Sequence, residues 1–378
     1  MIYLDHNATT PVLLEVREAM LPYLTEEWGN PSSSYRFGAK LKSVIERARE
    51  SVAELIGAHS PREVIFTSGG TESNNAAIHS AIHLRPDKRH IITSQVEHSS
   101  VLSYCKFLEK HHGYRVTYLP VDREGLLSLS DLEAAMNDDT AVVSLMWANN
   151  ETGVLFPVHE IGARCRARGI PFHCDAVQAV GKLPILLKEA PIDYLSLTGH
   201  KIGASKGSGA LYIHRKIQYI PFIHGGHQEK GRRGGTESVP LAVGLGVAAE
   251  TAKRNLPIYD SKVRPQRDAL EQGLAEAFPD SERNGHGTLR LPNTTNIYFP
   301  GIAAEAMLLL LDQGGICASS GSACLADSPD PSHVVAAMKS GKAGAQSIRF
   351  SMGISTSLKD VEDSISLLDI IIPRLFYK

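Results

Sequence analysis

In the segment YLSLTGHKIGASKGSGALY, Thr198, His200 and Lys201 leave one apolar run and enter a glycine-rich loop before the next. A lysine held among apolar and glycine residues is partly desolvated, which lowers its pKa and makes it a Schiff-base nucleophile. In PFHCDAVQAVG, Asp175 follows an apolar run, and Gln178 falls about one helical turn later on the same side. An aspartate there also suits a helix N-cap. In VIFTSGGTESNN, Gly69, Gly70 and Thr71 open a helical stretch. Glycines permit close backbone approach, and the exposed amides of a helix start favour a phosphate. The turn is neither a Walker loop nor GxGxxG. Together, a lysine for a Schiff base, a carboxylate for a pyridinium nitrogen and a Gly/Thr/Ser cup for a phosphate are what pyridoxal 5'-phosphate requires.

Three further residues could act on a substrate. Cys324 lies in GICASSGSACLADSPDPSHV, among Ser, Gly, Ala and Asp residues, where a thiol is more exposed to reaction than in an apolar element. Arg349, in QSIRFSMG, could clamp an α-carboxylate with two parallel hydrogen bonds. His98, in SQVEHSSV, could stack on a pyridine ring and exchange protons near neutral pH. Among the 16 histidines, His79/His83 and His111/His112 are paired without a further ligand cluster, so both pairs read as helix or turn surface, not a zinc site.

The elements that must hold these groups emerge from the hydrophobic pattern. Between about residues 13 and 255, helical periodicity alternates with short apolar runs at 64–67, 91–94, 115–119, 141–147, 171–174, 194–198 and 209–214. Strands separated by helices imply βαβ units and a mostly parallel sheet, whose ligands lie beyond the strands' carboxyl ends. Near 255–257 the pattern loosens. The remainder of the chain reads as helix 261–278, strand 294–299, helix 303–314, a Ser/Gly loop, strand 347–352 and a last helix, a smaller α+β unit.

Length and composition agree. The chain has 378 residues, 43% hydrophobic and 21% charged, with Lys+Arg 39 against Asp+Glu 41, enough for two domains and without a basic excess. Nucleic acid and membrane surfaces are therefore not expected partners. Apolar runs stay short of the ~20 residues of a membrane span, and the start MIYLDHNATT does not read as a signal peptide, so a cytoplasmic protein is expected. The five cysteines show no CxxC spacing and read as free thiols, mostly buried.

The motifs YLDHNATTPV, GNPSS, FTSGGTESNN, VEHSSV, WANNETG, HCDAVQAVGK, TGHKIGASKGSGALY, GGHQEKGRRGGTE, LPNTTNIYF, SSGSAC and IRFSMG, in this order, resemble the cysteine desulfurases of the NifS/IscS group. This group is class V aminotransferase-like, and the resemblance spans essentially the whole chain. It implies the type I fold of pyridoxal-phosphate-dependent transferases, α/β, with a large domain built on a mostly parallel seven-stranded sheet. It also implies a division into an N-terminal segment 1–12 packed on the small domain, a cofactor domain 13–256 and a small domain 257–378.

The resemblance assigns roles by position. Lys201 would carry the cofactor, Asp175 would pair with its ring nitrogen, Gln178 and Asn150 would sit at the phenolic oxygen's edge, and His98 would stack on the ring. Gly70, Thr71, Thr198 and His200 would hold the phosphate, with Thr236 reaching the phosphate of the neighbouring subunit of a homodimer. Asn30, Asn150 and Arg349 would bind the substrate carboxylate. Lys201 would move the α-proton of L-cysteine and Cys324 would take its sulfur as a persulfide, leaving L-alanine. Selenocysteine lyase, or another C–S lyase using the same cofactor, is the alternative the same residues admit.

The nine residues from Cys324 to Ser332, both ends included, match the group's longer-loop branch, which passes sulfur to an iron–sulfur scaffold protein. Cys324 is then also the candidate for a transient iron–sulfur ligand. MWANNETG and GHQEKGRRGG are most similar to the nitrogen-fixation type. Leu325 and Ala326 depart from the usual hydroxyl residues, Ser238 from asparagine and Cys174 from threonine.

Overall fold

The computed structural model describes residues 1–321, 332–339 and 342–376. Cys324 and its expected roles lie outside the described residues.

The strands in chain order are β1 Ile2–Tyr3, β2 Val64–Thr67, β3 His90–Ser94, β4 Arg115–Leu119, β5 Thr140–Met146, β6 Phe172–Asp175, β7 Tyr194–Thr198, β8 Gly209–Ile213, β9 Glu282–Arg283, β10 Thr294–Tyr298, β11 Ile316–Cys317 and β12 Ser347–Ser351. The central sheet has seven strands in the order β2-β8-β7-β6-β5-β3-β4. Only β8 runs against its neighbours; every other adjacent pair is parallel. β3, β5, β6, β7 and β8 are buried along their whole length, because helices cover both faces, and this explains why they read as unbroken apolar runs instead of alternating ones.

A second sheet, β12-β10-β9, is antiparallel and packs with the helices Arg264–Ala277, Ala304–Gln313 and Leu358–Phe376. Its hydrophobic cluster includes Leu4, Leu270, Leu311, Phe350 and Leu368, and is distinct from the cluster beneath the central sheet. β1 pairs in parallel with β11, so the N-terminal segment is stitched to this second unit before it crosses to the first.

The loosened pattern near 255–257 is not a break in the chain's helix. The helix Val239–Ile258 continues through a π turn, Tyr259–Val263, into Arg264–Ala277. Pro257 and Pro265 lack N–H donors, and a wider turn between them absorbs the missing hydrogen bonds without ending the helix. At the other end of the fold, Gly69 has φ +152, and a Cβ on Gly209 would stand 2.6 Å from the Gly69 Cα. Backbone therefore packs on backbone where β2 delivers the chain to the helix Gly70–His83, and side chains are excluded there.

Candidate active site

One cavity of about 180 Å³ opens at the carboxyl ends of the central strands. Gly70 and Thr71 reach it from the start of the helix Gly70–His83, His98 from the cap of the helix Ser99–His112, and Asn150 from the turn after β5. Asp175 comes from the end of β6, Thr198, His200 and Lys201 from the end of β7, and Arg349 from β12 of the second unit. Gln178 lines it as well, in the hydrogen-bonded turns after β6.

The anion end of the cavity is the helix start at Gly70. Its N-cap is Gly69, which supplies no side-chain acceptor, so the first-turn amides keep their positive potential. His200 stands beside it with Nδ1 3.2 Å from Thr9 Oγ1. Burial first, then the charges of Lys201 and Lys206, bring His200 down to about 4, so it is neutral at neutral pH.

The opposite end is organised around Asp175, which is 6% exposed. Its Oδ1 accepts from Val177 N at 3.0 Å and its Oδ2 from Asn74 Nδ2 at 2.7 Å. Asn74 Nδ2 also donates to Ser100 Oγ at 2.9 Å, and Ser100 Oγ lies 2.8 Å from His98 Nδ1. The Ser100 backbone N–H donates to the same Nδ1 at 3.2 Å. An atom that accepts from a backbone amide carries no proton, so neutral His98 holds its proton on Nε2. Asp175 and His98 are thus the ends of one chain of hydrogen bonds, in which donation runs outward from the Asn74 amide in both directions. Neither Asn74 nor Ser100 stands out in the sequence, although the first falls inside FTSGGTESNN and the second inside VEHSSV.

Lys201 Nζ donates to the carbonyl oxygens of Asn7 and Ala8, the latter at 2.6 Å. Arg349 is 1% exposed; Nη2 donates to Asp5 Oδ1 at 2.6 Å and Nη1 to Asn150 O at 3.0 Å, while Nε finds no acceptor among the described residues. A buried guanidinium whose Nε has no acceptor among the described residues, on the wall of a cavity, suits a carboxylate ligand.

The structure does not bring every expected residue together. Asn30 is exposed, away from the cavity lining, with Oδ1 accepting from Ser32 N at 2.9 Å. Thr236 lines a separate cavity with Gly207, Glu229 and Arg233. Arg233 is tied to Glu72, in the first turn of the phosphate-cup helix, by hydrogen bonds of 2.9 and 3.1 Å. Burial works against the Glu72 carboxylate, yet the hydrogen bonds from Arg233 and Ser68 hold its pKa below the ordinary value. Asn7, which sequence reasoning passed over, lines the main cavity beside Ala8. Cys105, Cys165 and Cys174 are buried and Cys317 half-buried, all as free thiols. Burial pushes Cys105 and Cys165 up to about 12, so these thiols are inert packing.

The residues present fit pyridoxal phosphate: uncapped helix amides with Thr71 and Thr198 for a phosphate, a buried carboxylate with fixed hydrogen bonds, and a lysine amine in the same cavity. The fold and this cavity define a type I enzyme of that cofactor's architecture, and residues 2–363 match the aminotransferase class-V family. The chain belongs to that family, among the cysteine desulfurases of the NifS/IscS group. It is 53% identical over 376 residues to cysteine desulfurase 2 of Trichormus variabilis, covering 99% of this chain and 94% of that one. Cysteine desulfurase NifS of Azotobacter vinelandii is 47% identical, with 99% and 93% covered. A solved NifS-like protein superposes with a TM-score of 0.92 at 34% identity, over 99% of this chain and 100% of that one. No helix among the described residues is long and apolar enough to cross a membrane.

Proposed function

We propose that this chain is a pyridoxal-phosphate-dependent cysteine desulfurase that converts L-cysteine to L-alanine and passes the sulfur to Cys324 as a persulfide. The observation that carries the reading is the single cavity lined by Lys201, Asp175, His98 and Arg349, which come from four different segments of the chain.

When bound, pyridoxal phosphate supplies an electron sink for a substrate's α-carbon. The chain's own residues do the rest. Gly70, Thr71, Thr198 and neutral His200 hold the phosphate end, and Asp175, kept in place by Val177 N and Asn74, holds a positive charge at the ring nitrogen. Gln178 and Asn150 sit at the phenolic edge, and His98 covers the ring with its Nε2 proton. Arg349 takes the substrate carboxylate, and Asn30 belongs to the same proposal through its motif. Lys201 takes the α-proton and returns it. Cys324 attacks the substrate sulfur as a thiolate: the Cβ–S bond breaks, a disulfane S–S bond forms, and the electrons left on carbon are neutralised by a proton to give alanine.

The sulfur goes on to an iron–sulfur scaffold protein in the cytoplasm, and Cys324 serves as a transient iron–sulfur ligand during hand-over. The working unit is a homodimer in which Thr236 serves the neighbour's phosphate; its place in a cavity apart from Lys201 supports that. The chain divides into segment 1–12, a cofactor domain 13–256 and a small domain 257–378, a division supported by the cluster of Leu270, Leu311, Phe350 and Leu368, which is separate from the central-sheet clusters that Leu291, Val334 and Met338 join.

The test is a visible spectrum of the purified protein before and after L-cysteine, with alanine and sulfide assayed in the same tube. A band that shifts as alanine appears is expected. Cys324→Ala should keep the band and lose desulfuration by at least about 10³-fold, roughly 4 kcal/mol of transition-state stabilisation. Undiminished cysteine turnover by that variant would sink the persulfide step.

A further inference from the structure

Lys182 lies behind the wall of the cavity. It is 3% exposed, and its amine donates to Gln178 Oε1 at 2.7 Å and to Asn7 Oδ1 at 3.1 Å. Both acceptors are neutral amide oxygens, and the amine offers an N–H to each. Burial first, then the nearby charges of Lys201 and Arg349, push the Lys182 pKa well below the usual lysine value. A leucine or methionine would fill such a place without desolvating an amine, so the nitrogen needs a reason of its own.

Its two partners are cavity-lining residues, and the amine dictates how both face. With Oε1 turned to Lys182, Gln178 turns its NH₂ group the other way, where one N–H reaches Asn7 O at 3.0 Å. A flipped amide would set Oε1 against that carbonyl, acceptor facing acceptor. Asn7 Oδ1 accepts from Lys182 and from Asn293 Nδ2 at 3.1 Å, which leaves Asn7 Nδ2 for Thr294 Oγ1 at 2.9 Å and Asn150 O at 3.2 Å. The same Asn7 supplies its backbone oxygen to Lys201.

We propose that Lys182 is a positioning residue, whose donation to the side-chain oxygens of Gln178 and Asn7 fixes a hydrogen-bond donor edge of the cavity and the carbonyl that holds Lys201. The inference rests on the reading of this cavity as a pyridoxal phosphate site: Gln178 then presents a donor, and only a donor, to an acceptor oxygen of the bound group.

The experiment compares wild type with Lys182→Met, which keeps the length and apolar stem and removes both donors. Pyridoxal phosphate binding should weaken about 10-fold, and the pH midpoint of the visible band should rise by about one unit, because a donor that favours the more negative form is no longer fixed. In a Gln178→Met background, Lys182→Met should add less than about twofold to either readout, since the amine reaches the bound group through that amide and Asn7 Oδ1 keeps its bond from Asn293 Nδ2. A Lys182→Met protein whose band midpoint and pyridoxal phosphate Kd match wild type overturns the inference, as does an undiminished effect in the Gln178→Met background. If Lys182→Met does not accumulate as folded protein, Lys182→Leu, which also lacks a donor, takes its place with the same two outcomes. A wild-type chain that shows no visible band with pyridoxal phosphate overturns the site reading, and this inference with it.

Discussion

Of the four arginines buried among the described residues, Arg49 and Arg349 are buried differently. Arg49, 5% exposed, commits four of its five N–H groups: to Glu229 with hydrogen bonds of 2.6 and 3.0 Å, to Val64 O at 2.9 Å and to Glu46 at 3.2 Å, with its guanidinium 4.8 Å from the Phe66 ring centroid. Burial opposes its charge, but the hydrogen bonds and charge of Glu229 more than offset this and raise its pKa. Arg349, 1% exposed, has one carboxylate partner on a single oxygen, one carbonyl, and an Nε without an acceptor among the described residues. Near-saturation marks a structural ion pair, while a sparser set on a cavity wall marks a group kept for a ligand. Glu229 and Lys230 bear this out from the backbone side, since their positive φ values of 48 and 60 are held where Arg49 grips the turn.

The contrast is open to test, beginning with the variant that should lose most. Lys201→Ala, on the ligand side, should lose at least about 10⁴-fold in turnover, near 5.5 kcal/mol, with a urea midpoint close to wild type. Unfolding at much lower urea would place Lys201 among the structural groups. Arg49→Met, on the structural side, should lower unfolding free energy by about 3–5 kcal/mol, because Glu229 is left buried without its partner. Its KM for L-cysteine should stay within about twofold in the folded protein. Arg349→Met should invert that pattern: kcat/KM down about 100-fold, roughly 2.7 kcal/mol and mostly through KM, with a smaller loss of stability than Arg49→Met. Equal stability losses in the two variants would erase the distinction.

The smallest effect is a pH slope. His173 is fully buried between Ser144 Oγ at 2.8 Å and Ser196 Oγ at 2.9 Å, and burial lowers its pKa to about 3. The unfolded chain binds this proton below about pH 6.5 and the folded one does not, so stability falls as the pH drops from about 6.5 toward 3. The slope is about 1.4 kcal/mol per pH unit for one such group. His173→Gln should flatten the urea midpoint's dependence on pH across that window, and an unchanged slope would show that His173 is not the group titrating.

Most of the frame was legible in the sequence because fully buried parallel strands announce themselves as short apolar runs. The bounds moved by a residue or so, as at β6, where Pro171 stays outside and Asp175 is the last strand residue. β1 and β11 were not legible, since two-residue strands leave no periodicity. The first layer of the site was legible from residue type at strand ends. The second layer was not: Asn74, Ser100, Lys182 and Asn7 acquire meaning only from partners distant in sequence, such as Asp175 for Asn74 and Gln178 for Asn7. The one signal was polarity where packing asks for none, as with a lysine in VQAVGKLP.

The short N-terminal stretch around β1 also bears on the order in which the molecule is made. Asp5 holds Arg349 across 344 residues of chain, His6 bonds Ser351 across 345, and Asn7 joins Thr294 across 287. These residues are synthesised early and must wait for β10 and β12 before their contacts exist. A chain elongating at about 5–20 residues per second therefore spends roughly 7–28 s between the end of β8 at Ile213 and the end of β12 at Ser351, with its central sheet buildable and its pocket open on one side. Pocket closure is a late, non-local event.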